Sequence, residues 1–149
     1  MKNYIVQEEV LNMASEPMPI YLPSSFIKNN VLYNIAQNSK ELFVKVLSIT
    51  GLTIKILAEN IFEITPKTFI KYKNNETKIP SRIVELAIEL STLYELGNVV
   101  FSNSTVFNQW LDKENSFFNN NKPAQFLNTS TGIHLIYEEL KRIEFGATA

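Results

Sequence analysis

The stretch Thr65-Pro66-Lys67-Thr68-Phe69-Ile70-Lys71-Tyr72-Lys73 is where residue types and spacing first suggest chemistry. Threonine before proline is a strong helix start. The hydroxyl accepts from an amide of the first turn, and proline takes the first helical position, where a missing N–H costs nothing. Behind that cap only Phe69 and Ile70 are clearly apolar, so most of this short helix is expected to face water or a ligand. Thr65, Lys67, Thr68, Lys71 and Tyr72 offer cationic and hydrogen-bonding groups on a narrow element, and Lys73, Lys78 and Arg82 extend the positive charge. Residues 65–82 carry five cationic side chains against one acid, Glu76. Such a helix suits the major groove of duplex DNA, with flanking lysines on phosphates. The plain alternative for a lysine-rich helix is a solvated face.

Other chemistry is scarce. His134 is the single histidine, and it falls beside an apolar stripe, which leaves nothing from which to build a Ser-His-Asp triad. With no cysteine and one histidine, the usual ligands for a transition metal are missing and no disulfide framework is expected. The four glycines, at 51, 97, 132 and 146, stand alone, so there is no glycine-rich phosphate loop. Glu8-Glu9 and Glu138-Glu139 are adjacent carboxylates, which point apart on a helix. No catalytic residue, metal or cofactor is expected, and the chain does not read as an enzyme.

A formal net charge of −1 conceals an uneven distribution. Residues 1–38 hold two lysines against three glutamates, residues 39–82 eight cations against four acids, and residues 83–149 four cations against eight acids. A basic middle suits a polyanion and an acidic C-terminal half suits a different partner. No apolar run approaches a membrane span, and the N-terminus lacks the features of a secretory leader. The cytoplasm is the expected compartment.

The elements that must position these residues follow from periodicity. Pro17, Pro19 and Pro23 mark residues 1–23 as an arm, with a weak helix at Ile27–Ile35. Leu42, Phe43, Val46 and Leu47 form one helical face that ends at Thr50-Gly51. Thr53 is the expected cap of a second helix carrying Leu57, Ala58 and Ile61, and Thr65 caps the third. A longer helix starts at Pro80-Ser81 and is expected to end at Gly97; its apolar surface is wide enough for packing between two layers. A helix over Asn103–Leu111 is followed by Asn119-Asn120-Asn121, whose asparagines tolerate positive φ. Pro123 to Leu127 forms a helical turn. Thr129 or Thr131 caps the last helix, which carries Ile133, Ile136, Tyr137, Leu140 and Ile143, with Glu138 and Arg142 paired at i, i+4 and Gly146 as its stop.

Several of these segments resemble the Xre/MbcA/ParS-type antitoxins, in particular those paired with RES-domain toxins. The specific part is C-terminal: Trp110-Leu111, Pro123, Phe126-Leu127-Asn128-Thr129, Gly132, then Arg142-Ile143-Glu144-Phe145-Gly146. A looser match covers Gly51-Leu52-Thr53, Leu57-Ala58 and Thr65 to Tyr72. Lys67 and Lys71 stand where the family often has arginines, and lysine lacks the bidentate fork that arginine offers guanine. Asn119-Asn120-Asn121 replaces a loop that tends to carry glycine, and the stretch between Ala58 and Thr65 is about one residue longer than usual.

The resemblance, which covers residues from about 40 to the end, implies an all-α protein with a helix-turn-helix module at 39–97 and a toxin-binding module at 98–149, preceded by the arm, taken as 1–38. It implies DNA binding through Thr65, Lys67, Thr68, Lys71, Tyr72, Lys73 and Lys78. It also implies toxin binding through Arg142, Glu144, Phe145, Gly146 and Ala149, the C-terminus lying over the toxin's NAD pocket. The expected role is to neutralise a RES-type toxin and to repress the shared operon as a homodimer. A stand-alone transcriptional regulator is the alternative.

Overall fold

The computed structural model describes residues 39–146. The expected arm at 1–38, with its helix at 27–35, and Ala149 lie outside the described residues. What is described is helical, and no strand occurs among those residues. Four helices come first: α1 (Ser39–Thr50), α2 (Ile54–Ile56, running on as a π-helical turn, Leu57–Phe62), α3 (Pro66–Lys73) and α4 (Ser81–Phe101). Then come α5 (Ser104–Leu111), two 3-10 turns (Ser116–Phe118 and Pro123–Phe126) and α6 (Ser130–Gly146).

Local chemistry sets most boundaries where the residues suggested. Gly51 adopts φ 64 and closes α1, its N–H donating to the Leu47 carbonyl. Thr53, Thr65 and Asn103 each accept from a first-turn amide of the helix that follows. Of the two candidates for capping α6, Thr129 is the one: its Oγ1 accepts from the Gly132 amide at 3.0 Å. Asn119 and Asn120 take φ 54 and 61, as the asparagine-rich loop requires.

The stretch between Ala58 and Thr65 contains a π-helical turn, which is an α-helix with one residue inserted. It keeps Leu57, Ala58, Ile61 and Phe62 buried and ends on Glu63, a non-glycine residue in the left-handed region.

One glycine expectation is corrected. Gly97 does not stop α4, which continues through it to Phe101 and ends where Ser102 takes φ 75. Glycine is needed there because a Cβ would overlap the Phe107 ring. Gly146 is the last residue of α6 and also the last described position.

The core has two aromatic centres joined through α4. Phe43 of α1 meets Phe69 edge-on at 4.9 Å and lies 5.7 Å from Phe62 and 5.9 Å from Tyr72. In the C-terminal part, Phe107 meets Tyr94 edge-on at 4.9 Å and stacks on Phe101 at 5.7 Å, and Trp110 lies against both Phe101 and Phe107. Between them, α4 buries Ile83, Leu86, Leu90 and Leu93 and packs against α1, α5 and α6. Each such side chain contributes about 1.5–3 kcal/mol on burial.

Candidate functional site

The first candidate surface is α3. It is held by Phe69 and Tyr72, both buried against Phe43, and the rest of the helix projects. Lys67, Lys71 and Lys78 are exposed and Lys73 is half-buried, and none of them makes an ion pair among the described residues. Thr65 Oγ1 accepts from the Thr68 amide and lies 2.9 Å from Thr68 Oγ1. One hydroxyl proton makes that bond, so the other is left to donate outward.

Tyr72 departs from expectation. Its ring is only 8% exposed, so it braces the helix instead of sharing the projecting face. Ile70, with Phe69 one of the two clearly apolar residues of the helix, is 42% exposed beside the lysines. Arg82 is not part of the free positive surface either, because its guanidinium is 3.1 Å from the Glu63 carboxylate.

The second surface lies on α6. Leu135, Glu138, Arg142 and Phe145 fall on one helical face and are exposed, Phe145 to 63%. Arg142 pairs with Glu139, not with Glu138 as its spacing suggested. Its Nε and Nη2 donate to the two carboxylate oxygens at 2.7 and 2.6 Å, and the Glu139 side chain is only 3% exposed. The bidentate fit raises the guanidinium pKa through that hydrogen bond and its charge. Glu138 instead lies 3.7 Å from His134 Nε2. At the end of the helix, Lys141 stands over the rings of Tyr137 and Phe145 at 5.7 and 5.6 Å and pairs with Glu144 at 3.1 Å. Ile143 and Glu144 are both half-buried, and Gly146 is exposed.

Two polar seams that periodicity did not reveal join the front helices to the C-terminal part. In one, the Tyr94 hydroxyl donates to Asn108 Oδ1 at 2.6 Å and Asn108 Nδ2 donates to the Thr50 carbonyl at 2.8 Å. Burial holds the Tyr94 hydroxyl well above the usual phenol range, so it remains a donor. In the other, Glu63 accepts from Asn128 Nδ2 at 3.2 Å and from Arg82 at 3.1 Å. Those two bonds, Asn128 first, lower its pKa. A polar side chain facing another segment leaves no periodic trace, so only composition could have hinted at either seam.

Further along the α4–α6 contact, burial raises the Glu89 pKa, opposed by a hydrogen bond from Ser130. Among the described residues, no three His, Cys, Asp or Glu side chains come together as a metal site, and no helix is long and apolar enough to cross a membrane.

Residues 96–146 match the family model described as the antitoxin Xre/MbcA/ParS C-terminal toxin-binding domain, about a third of the chain. The match begins inside α4 and takes in α5, both 3-10 turns and α6. It supports an antitoxin role in a toxin–antitoxin system, with a toxin protein as partner. No curated protein matches the chain.

Proposed function

We propose that this chain neutralises a RES-type, NAD-degrading toxin by direct binding and represses the shared operon by binding its operator through α3 as a homodimer. The observation that carries the reading is the match of residues 96–146 to a toxin-binding domain whose last helix carries an exposed face ending at Phe145.

An enzyme that consumes NAD must hold a pyrophosphate, so its pocket favours anions. The C-terminal portion of this chain, residues 83–149, holds eight acids against four cations. Long-range attraction thus brings the two together. Glu144 and Phe145 then occlude the pocket: Lys141 holds the carboxylate in place, and the Phe145 ring supplies apolar contact. Arg142 positions this end of the helix through its two bonds to Glu139 and keeps its outer edge free for the partner.

On the DNA side, α2, the turn Glu63-Ile64-Thr65 and α3 form the helix-turn-helix, and Lys67, Lys71, Thr65 and Thr68 enter the groove. Ile70 suits a thymine methyl. Lys73 and Lys78 lie on phosphates. With Arg82 engaged by Glu63, about two phosphates are neutralised per subunit, a slope of log K on log salt near −2. Two half-sites require two copies.

The experiment is co-expression of the chain with the product of the adjacent reading frame, followed by pull-down and a growth test. A stable complex that restores growth is expected, and deletion of residues 145–149 should abolish rescue. Rescue by the truncated chain would remove the tail from the mechanism. No complex and no toxicity would leave a stand-alone DNA-binding regulator, to be examined by promoter gel shifts across a salt series.

A further inference from the structure

Glu63 occupies an uncommon position for its residue type. It ends the π-helical turn at φ 55, ψ 44, a left-handed conformation in which an L side chain crowds its own backbone. Its own N–H and that of Ile64 both donate to the Ala58 carbonyl, which sets the turn, and Thr65 caps α3 two residues on. The carboxylate then reaches two distant segments, one with each oxygen. Oε2 accepts from Arg82 in the first turn of α4, and Oε1 accepts from Asn128, immediately before the cap of α6.

One side chain therefore ties together the entries of three helices. Among the described residues, the bond to Asn128 is the hydrogen bond that links the α2–α3 turn to the C-terminal part, across 65 residues of sequence. A groove of about 250 Å³ opens at this junction, lined by Glu63, Arg82, Glu85, Asn128, Thr129 and Ser130. Glu63 and Arg82 remain 55% and 57% exposed, so both bonds are within reach of a competing group. Exposed bonds of this kind are weak enough to be exchanged for those of a partner.

We propose that Glu63 is a coupling element: it transmits events at the Asn128–Ser130 turn to the position of α3. A protein partner presenting a carboxylate to Asn128 and Arg82 takes both donors from Glu63 and so loosens the α2–α3 turn. Because coupling between binding sites is reciprocal, a ligand that fixes α3 changes the affinity for that partner by the same factor. The functional consequence rests on the reading of α3 as the DNA surface and of residues 96–146 as the partner surface. The mechanical link does not.

The test is amide hydrogen exchange on the full chain as wild type, Asn128→Ala, Glu63→Gln and the double variant, with Gln125→Ala as an exposed neighbour that does not bond Glu63. Asn128→Ala is expected to speed exchange at residues 65–73 about two- to fivefold, the size expected when one exposed, charge-assisted hydrogen bond is lost. Glu63→Gln should do the same at residues 129–133. The double variant should add little to either single change, since both remove one link. An Asn128→Ala effect confined to residues 122–133, strictly additive effects, or an equal effect of Gln125→Ala would overturn the proposal.

In parallel, binding of the same proteins to a 30-base-pair duplex reads the consequence for DNA. Failure of the wild type to bind DNA would sink the DNA reading while leaving the exchange result to decide on the link.

Discussion

The two seams between the front helices and the C-terminal part use the same kinds of polar group to opposite ends. The Tyr94–Asn108–Thr50 seam is the more enclosed: Tyr94 and Thr50 are fully buried and the half-buried Asn108 bonds both. The Glu63–Arg82–Asn128 seam is more open: Glu63 and Arg82 are more than half exposed, and Asn128 is half-buried. In the enclosed seam, loss of a partner leaves a desolvated group unsatisfied, which costs far more than the bond contributed. In the open seam water replaces whatever is lost. The first therefore sets rigid geometry and the second is free to exchange.

The largest effect is expected beside the enclosed seam. Gly97→Ala places a methyl group in the Phe107 ring, which Tyr94, Phe101 and Trp110 hold from other sides. Although alanine favours helix, overpacking should dominate and lower stability by about 2–3 kcal/mol in thermal or urea denaturation. An unchanged midpoint would mean that the ring moves aside cheaply.

Asn108→Ala comes next, at about 2 kcal/mol, because it strands both the Tyr94 hydroxyl and the Thr50 carbonyl. Asn108→Asp sharpens the comparison: it keeps an acceptor for Tyr94 but turns a carboxylate oxygen on the Thr50 carbonyl, so it should cost at least as much as Asn108→Ala. Thr65→Ala removes the cap of α3 and should cost about 1 kcal/mol, read by denaturation.

The smallest effects separate the carboxylates by pH. Glu63 has a lowered pKa, so its bonds stabilise the fold above the ordinary carboxylate value of 4.5, and that gain is lost as pH falls through the lower folded value. Glu63→Gln should therefore lower Tm at neutral pH, with the gap closing in acid. Glu89 has a raised pKa, so its ionised form opposes folding at neutral pH, and the penalty fades as pH falls through the raised folded value towards 4.5. Glu89→Gln should raise Tm at pH 7 and do little in acid. Parallel Tm–pH curves for both variants would contradict these opposite signs.

Capping and periodicity are local, which is why Thr53, Thr65, Gly51 and the stripes of α1, α4 and α6 were legible in the residues themselves. A hydroxyl or glycine at a chain turn acts on amides three or four positions away, and a buried stripe repeats along one helix. The lysines of α3 were likewise legible as an exposed cationic set. Tyr72 and the partner of Arg142 were misplaced for a common reason. An aromatic with a hydroxyl and a pair of adjacent glutamates each allow two placements, and the neighbouring element decides between them.

What the sequence by itself determined is therefore the helical class, the starts of the helices and the separation of basic middle from acidic end, because each follows from residues close in the chain. The tertiary structure alone decided that Gly97 is a point of contact and not a terminus, that Asn108 closes a buried seam, and that Glu63 meets Asn128. These depend on which surfaces are pressed together across 10, 58 and 65 residues of chain, and packing of that range has no local signature.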